Sequence, residues 1–387
     1  MSPRLPEFVT TYTRDLKAED LGRLFTRDAR EAYEFFARTI DPKELEGLSW
    51  QRRVLVKLRL FFTAFTMKLS PARRVVYAAS IIFAIVGVFN LMQFQYARPA
   101  VENAARVQTP VFPDGLFSLV IAFVLVNLIV LLEVADRLSL KNDLEIAREI
   151  QKAMLPPGRF RTPGADVAGF SRPANTVGGD FYEILPLGDG RLVTAVGDVA
   201  GKGSPASLLM ALLLAMMRTL TDEHLEAAEL ISRLNLQVCR QSPGNRFITL
   251  FYSVLDLTTG ELTYVNAGHT PPLLFRAGGA VERLQDGGIA LGMFDRSSFQ
   301  TGRVLLQPDD LLAIYSDGIT EAENARGVPF DEQGLETVLA AERRNNVAAT
   351  CAAVVRAVER HSADKRLADD LTLLLLRRST VPSAAGV

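Results

Sequence analysis

The chain has 387 residues, and its 43 basic and 44 acidic side chains leave a formal net charge of −1. This balance provides no overall basic surface, which excludes nucleic acid as an expected partner. Hydrophobic residues make up 48% of the chain and only two cysteines occur, which excludes intrinsic disorder and a disulfide framework. A metal site would have to use oxygen ligands or the three histidines.

Two apolar stretches in the first third of the chain are long enough to cross a membrane. Val75–Ala97 has 23 residues without a charged side chain, and Gly115–Leu132 has 18. About 20 apolar residues span the hydrocarbon core of a bilayer. We therefore predict two transmembrane helices within residues 75–132, joined by a short outside loop. The alternative is that both are helices of a buried core.

The distribution of basic residues predicts the orientation of these spans. Residues 51–74 contain seven basic and no acidic residues, whereas residues 98–114 contain two of each. The positive-inside rule therefore predicts a multi-pass protein of the inner (cytoplasmic) membrane, with a cytoplasmic helical region at residues 1–74. Its basic juxtamembrane segment, residues 54–69, is typical of a helix on lipid headgroups or of one packed on its own region. Two spans return the C-terminal part to the cytoplasm.

Residues 133–157 are rich in helix-forming residues and end at two prolines. Apolar or seam-type residues recur there at spacings of four and three, namely Leu140, Leu144, Ala147, Gln151 and Met154. This spacing predicts a linker helix with a coiled-coil seam through which a second copy could form a homodimer. The alternative is a single helix that packs on its own domain.

After Pro157 the sequence alternates between short strands and helices, which predicts an α+β layered domain. Helices are predicted at residues 204–220, 225–241, 335–341 and 347–361. The ten apolar residues Leu208–Met217 are too few to cross a bilayer. This stretch therefore fits a helix buried inside the domain.

Aspartates stand at the predicted strand ends, often beside glycine: Asp180, Asp198, Asp317, Asp369 and Asp370. Such carboxylates can converge on one edge of a fold, where they repel one another unless a divalent cation binds. Ligand sets made only of oxygen favour Mg²⁺ or Mn²⁺. Each aspartate alone is also explained as a turn former or a helix cap.

Five motifs occur in a fixed order: VGGDFYEI, GDVAGKGSPASLLMA, YVNAGHTPPLLF, LLAIYSDGITEAEN and ADDLTLLLL. Together they resemble the bacterial SpoIIE/RsbU-like branch of the PPM-type metal-dependent serine/threonine protein phosphatases, and DLEIAREIQKAMLPP resembles the linker helix that precedes that domain. The resemblance implies a four-layer α-β-β-α sandwich at residues 160–378. Residues 379–387 are then expected to form a disordered tail.

The resemblance also implies a site that holds two Mn²⁺ or Mg²⁺ ions. Asp198 would bridge the two ions, with the carbonyl of Val199 as a further ligand. Asp317 and Asp369 would complete the ligands of one ion. Asp180 would bind the other ion directly or through water. Asp198 and Asp180 are accordingly the expected catalytic residues.

Three positions of the implied site stay open. The final motif is ambiguous by one residue, so Asp370 competes with Asp369 as a ligand. Lys202 is a further candidate, as a contact for the substrate phosphate. His269 is either structural or catalytic. The general acid is unassigned, because many eukaryotic members have a histidine and an extra acid where Val199 and Gly179 stand.

The implied function is a membrane-anchored protein phosphatase that hydrolyses phosphoserine or phosphothreonine through a metal-activated water, without a covalent phosphoenzyme. Its implied substrate is a phosphorylated regulatory protein of the anti-sigma-factor-antagonist type. Two alternatives remain. The chain could be a catalytically inactive binding module with the phosphatase fold. It could also be a nucleotide cyclase, because GGDFYE resembles a cyclase turn; cyclases, however, place that turn in a βαββαβ domain.

Overall fold

The computed structural model describes residues 69–101, 114–242, 246–362 and 367–379, with a few isolated positions before residue 69. Most of the predicted N-terminal region, most of the basic segment 54–69, the outside loop and the tail lie outside the described residues. The chain divides into two compact units, Met1–Leu138 and Ser139–Val387.

Two long apolar helices follow the basic segment. Helix α1 spans Pro71–Val101 and helix α2 spans Asp114–Met154. Each contains a window long and apolar enough to cross a membrane. Large apolar side chains on both are exposed, such as Phe89 at 58% and Phe123 at 70%. Such outward apolar surfaces suit contact with lipid.

Helices α1 and α2 pack closely where two glycines meet. A Cβ atom on Gly87 would lie 2.8 Å from the carbonyl oxygen of Gly115, and one on Gly115 would lie 2.6 Å from that of Gly87. Small residues allow this approach of two backbones. Near the start of α1, Arg73 binds Glu133 at 3.1 Å and Asp136 at 2.7 Å, both of α2. The two helices therefore contact each other at two separate places.

Helix α2 continues without a break from the second apolar stretch to Met154. The predicted linker helix is therefore the end of α2 and not a separate element. The C-terminal half of the predicted seam is wrong: Gln151 is buried, and Met154 packs against the core of the C-terminal domain. The alternative of a helix packed on its own domain holds there. Ile146 and Ile150 remain exposed on another side of the helix.

The C-terminal unit is built on two six-stranded sheets. The strands are β1 (Arg159–Thr162), β2 (Ala165–Arg172), β3 (Phe181–Pro186), β4 (Arg191–Val199), β5 (Ile248–Asp256), β6 (Glu261–Ala267), β7 (Leu273–Phe275), β8 (Val281–Arg283), β9 (Gly287–Gly288), β10 (Gly302–Leu305), β11 (Leu311–Tyr315) and β12 (Leu371–Arg378). The first sheet has the order β1-β2-β12-β11-β7-β8. The second has the order β10-β6-β5-β4-β3, with β9 beside β6.

Helices cover the outer faces of both sheets. The helices are α3 (Ser204–Thr221), α4 (Ala227–Gln241), the short α5 (Asp317–Thr320), α6 (Asp331–Glu342) and α7 (Val347–Ser362). Helices α3 and α4 share an apolar core with the second sheet, and α6 and α7 share one with the first. A third core lies between the sheets. The predicted four-layer α-β-β-α sandwich is therefore confirmed.

The fold also shows where helix α3 lies and whether the nucleotide cyclase alternative holds. Helix α3 also meets the length and hydropathy criteria for a membrane span. Its residues Leu213 and Leu214 are nevertheless fully buried in the domain core, as predicted from the short apolar stretch. The nucleotide cyclase alternative is wrong, because two packed, mostly antiparallel sheets are not a βαββαβ domain.

Candidate metal centre

The antiparallel pairing of strands brings the predicted aspartates to strand ends that lie side by side. Phe181 at the start of β3 pairs with Gly197 near the end of β4, so Asp180 lies beside Asp198. Tyr315 at the end of β11 pairs with Leu373 near the start of β12. Asp317, which follows β11, and Asp369, which precedes β12, therefore share one end of the other sheet. We call Asp180, Asp198, Asp317 and Asp369 the acidic edge.

Electrostatic interactions connect the two halves of the acidic edge. Burial and then the negative charge of Asp198 raise the pKa of Asp180 well above its usual value. Burial raises the pKa of Asp198 to about 6; a hydrogen bond with Asp180 opposes this rise, while the charges of Asp317 and Asp369 add to it. Burial, and then Asp369, raise the pKa of Asp317. These mutual effects link all four carboxylates into one electrostatic group.

The donor atoms at this edge fit a hard divalent cation. Within the described ranges, Oδ2 of Asp180 is buried without a hydrogen-bond partner, an arrangement that is costly unless a cation or water compensates it. A Cβ atom on Gly179 would lie 2.9 Å from the carbonyl oxygen of Val199, so this oxygen faces the loop that carries Asp180. Carboxylate and carbonyl oxygens are the ligands that Mg²⁺ and Mn²⁺ prefer.

The acidic edge has an open arrangement of side chains. In the part of the chain that the structure describes, no three histidine, cysteine or acidic side chains are close enough to hold a metal as they stand. A bound Mg²⁺ normally keeps several waters in its coordination sphere. Protein side chains therefore need to supply only some of the ligands at this edge, and the residues present fit that requirement.

Asp370 and Asp369 have different surroundings. Asp370 is buried and accepts backbone N–H groups from Ala174 at 2.7 Å, Gly179 at 2.7 Å and Asp180 at 3.3 Å. These bonds shape the loop that carries Asp180. Oδ1 of Asp369 accepts the N–H of Asp370 at 2.9 Å, which leaves its Oδ2 for another partner. The two neighbouring acids therefore have different roles.

Lys202 reaches the acidic edge from the turn between β4 and α3. Its ammonium lies 2.8 Å from Oδ2 of Asp369 and donates a hydrogen bond to the carbonyl of Ala368 at 2.6 Å. The flanking residues Gly201 and Gly203 have φ angles of 111° and 73°, which favour glycine. The sequence GKG thus forms a turn that points a lysine at the last aspartate of the edge.

His269 lies behind the acidic edge rather than within it. Its Nδ1 is 3.0 Å from the hydroxyl of Thr249, which pairs with Asp198 across β4 and β5. Burial lowers the pKa of His269 to about 4, so the ring is neutral. Its backbone N–H donates to Oδ1 of Asn266 at 2.7 Å. These contacts fit the structural alternative for this residue.

The structure adds a residue that sequence reasoning assigned to a different role. Gln151 at the end of α2 donates from Nε2 to the carbonyl of Gly178 at 2.9 Å, and its Oε1 accepts the N–H of Gly178 at 3.2 Å. It therefore binds the loop that carries Asp180. The signal in the sequence is a polar residue in an apolar repeat.

A second contact joins the end of α2 to the domain. Arg218 of α3 binds the buried Glu183 of β3 at 2.6 Å and the carbonyl of Met154 at 2.6 Å. No motif in the sequence points to this pair, because its members lie 35 residues apart.

Comparison with known sequences supports this interpretation of the C-terminal unit. The family described as Stage II sporulation protein E (SpoIIE) matches residues 188–379, which include Asp198, Asp317 and Asp369. Protein IcfG of Synechocystis sp. is 30% identical over 237 residues, which cover 54% of this chain and 37% of that protein. Phosphoserine phosphatase RsbU of Bacillus subtilis is 26% identical over 244 residues, covering 62% of this chain and 71% of RsbU.

A solved structure has the same fold. It contains the RsbU and RsbW domains of Rv1364c from Mycobacterium tuberculosis, with a TM-score of 0.50 and 29% identity. The match covers 57% of this chain and 61% of that one. The sandwich, the motifs and these relatives agree. The C-terminal domain therefore belongs to the SpoIIE-like branch of the PPM-type (PP2C) protein serine/threonine phosphatases.

Proposed function

We propose that the chain is a membrane-anchored, metal-dependent phosphatase that hydrolyses phosphoserine or phosphothreonine on a regulatory protein. The observation that carries this proposal is the convergence of four carboxylates, one of which has a buried oxygen without a partner in the described residues. The relative RsbU is named a phosphoserine phosphatase, which supports the same chemistry.

In this proposal, oxygen atoms of the acidic edge hold two Mn²⁺ or Mg²⁺ ions. The ligands are Asp180, Asp198, Asp317, Asp369 and the carbonyl of Val199. When bound, such ions would lower the pKa of a coordinated water and neutralise charge that develops on the phosphoryl group. Asp369 is preferred to Asp370 because backbone N–H groups already occupy the oxygens of Asp370.

The chain's own residues then position the reactants. Asp198 and Asp180 are neighbours on paired strands, so they fix the geometry of the attacking side. Lys202 stands at the same edge and is placed to contact the substrate phosphate. Burial raises the pKa of the Cys351 thiol to about 12, which makes it a poor nucleophile. Hydrolysis by water, without a covalent phosphoenzyme, is the route that these groups support.

The inactive binding module stays as the second candidate function. Its support is that no three described metal-binding side chains enclose an ion as they stand. Lys202 already pairs with Asp369, so part of the negative charge is compensated without a metal. Such a module would bind a phosphoprotein without turnover.

The test measures phosphate release by the full-length chain in lipid nanodiscs, with Mn²⁺ and a phosphoserine protein as substrate. We expect metal-dependent release that Asp198→Asn abolishes while the fold is retained. Asp189→Asn is the matched control, because Asp189 is an exposed turn residue of the same domain. Substrate binding without any release would favour the binding module. If the chain neither binds the phosphoprotein nor releases phosphate, both candidate functions are refuted.

We further propose that two spans within residues 75–132 anchor the chain in the inner membrane, with residues 1–74 and the phosphatase domain at 160–378 in the cytoplasm. The outward apolar faces of α1 and α2 support the anchor, and the basic segment 51–74 supports the orientation. Reporter fusions after residues 50, 106 and 387 test it. Only the fusion after residue 106 should report a location outside the cytoplasm.

The partner proposals rest on the family. A phosphorylated regulatory protein of the anti-sigma-factor-antagonist type is the proposed substrate. A homodimer through the linker at residues 133–157 would use the exposed Ile146 and Ile150. Gln151 and Met154 already contact the phosphatase domain of their own chain. Crosslinking of cysteine variants at positions 146 and 150 tests the dimer; absence of crosslinks at both would contradict it.

A further inference from the structure

The oxygen of Asp369 that is left for a metal is the oxygen that Lys202 occupies. Oδ1 of Asp369 accepts the N–H of Asp370, and Oδ2 lies 2.8 Å from the ammonium of Lys202. We propose that Lys202 is a built-in competitor of the metal: it holds Asp369 in the metal-free domain and must leave before Asp369 binds a divalent cation. This inference rests on the metal-dependent function proposed above.

The contact is defined by two acceptors and not by one flexible ion pair. The same ammonium donates to the carbonyl of Ala368 at 2.6 Å. Because both acceptors belong to the loop before β12, the lysine fixes that loop as well as the carboxylate. A lysine is positively charged at neutral pH. It therefore supplies the compensation that a divalent cation would otherwise provide.

An ammonium and a divalent cation at this oxygen would repel each other across a few ångströms, so each weakens the binding of the other. Among the described residues no three acids enclose an ion, and the ion pair with Lys202 is the contact that Asp369 makes through Oδ2.

A cavity beside the ion pair can accommodate the side chain of Lys202 when it leaves Asp369. A cavity of about 190 Å³ adjoins the pair, and its wall includes Lys202, Gly318, Glu321 and Leu367. The carboxylate of Glu321 on this wall offers the ammonium a second acid. Movement of Lys202 into this cavity would release Asp369 without any change in the strands.

The expected effect is modest, because the side chains of Lys202 and Asp369 are 54% and 38% exposed. Exposed ion pairs contribute little, and removal of the competitor should therefore tighten metal binding by roughly two- to fivefold. Metal affinity, rather than turnover, is the quantity that reports the competition.

The experiment titrates Mn²⁺ into the chelator-treated full-length chain in nanodiscs by calorimetry. We expect Lys202→Met to bind Mn²⁺ about two- to fivefold more tightly than the wild type, and Lys202→Arg to stay close to it. Lys141→Met is the matched control: this exposed lysine also pairs with an acid, Glu145, but on the linker helix. It should leave the affinity unchanged.

Three further outcomes separate this inference from the function on which it rests. If the wild type binds Mn²⁺ and Asp198→Asn weakens it, but Lys202→Met binds equally or more weakly, only the competitor role is overturned. If the wild type binds no Mn²⁺, both proposals fail. A gain in affinity in Lys141→Met as large as in Lys202→Met would show a general charge effect and would also overturn the competitor role.

Discussion

Removal of one carboxylate from the acidic edge should stabilise the metal-free protein, although it destroys the proposed activity. Asp198 is the residue to change, because burial and neighbouring acids raise its pKa from 3.8 to about 6. Each pKa unit corresponds to about 1.36 kcal/mol between the two protonation states. At pH 7.5, Asp198→Asn should therefore raise the free energy of unfolding by about 3 kcal/mol at most.

The sign of the pH dependence follows from the direction of the shift. The folded state binds a proton at Asp198 more tightly than the unfolded state does. The stability that this proton provides is full below the unfolded value of 3.8 and is lost as the pH rises through about 6. The advantage of Asp198→Asn over the wild type should therefore be large at pH 7.5 and small at pH 4.

Calorimetric melting of the full-length chain in nanodiscs with chelator is a suitable assay. Fluorescence is unsuitable, because the single tryptophan, Trp50, precedes the phosphatase domain. For a domain of this size, 3 kcal/mol corresponds to a gain in Tm of roughly 6 to 12 °C, which is the upper limit of the expected gain. Added Mn²⁺ should raise the Tm of the wild type but not that of Asp198→Asn.

Asp189→Asn is the control, because a hydrogen bond from Arg191 lowers the pKa of Asp189. Its removal should therefore give no gain in stability. A lower Tm of Asp198→Asn in chelator at pH 7.5, or an equal gain at pH 4, would show that the charge of Asp198 does not destabilise the metal-free domain.

Three further predictions concern residues around the acidic edge. Asp370→Ala should lower the free energy of unfolding by about 1 to 3 kcal/mol, because it leaves buried N–H groups without an acceptor; an unchanged Tm would contradict this. Gln151→Leu leaves the carbonyl of Gly178 unpaired, and should speed amide hydrogen exchange in residues 176–180 while exchange in β12 stays as in the wild type. The neutral His269 has a pKa lowered to about 4, so its contribution to stability is full above the unfolded value of 6.5 and is lost as the pH falls toward 4. In His269→Gln, melting should depend less on pH in this window than in the wild type.

Most strands and helices of the phosphatase domain follow from local sequence, because their hydrophobic periods extend over five or more residues. Strands β8 and β9 have three and two residues, too few for any period to appear. The continuity of α2 is hidden for another reason. The composition changes from apolar to charged at Glu133, yet no glycine or proline lies between Leu116 and Leu155 to end the helix.

The acidic edge was predictable because aspartate beside glycine at a strand end is a local signal. The different surroundings of Asp369 and Asp370 were not predictable from sequence, because they depend on which acid accepts N–H groups from residues nearly 200 positions away. The partner of Gln151 is likewise a backbone carbonyl 27 residues away, which no side-chain pattern reveals. The acids at strand ends could be predicted from local sequence, whereas contacts to backbone groups distant in sequence could be identified only in the folded structure.

These contacts explain how a set of mutually repelling acids stays assembled without a metal. Asp370 anchors the loop of Asp180 through the N–H of Gly179, and Gln151 binds Gly178 in the same loop from α2. Both are bonds to backbone, so they hold the loop in place whatever the charge on Asp180. Lys202 compensates the charge of Asp369. The loop of Asp180 and the charge of Asp369 are thus held by different residues, so Gln151→Leu should disturb the loop of Asp180 while Lys202→Met should change metal affinity.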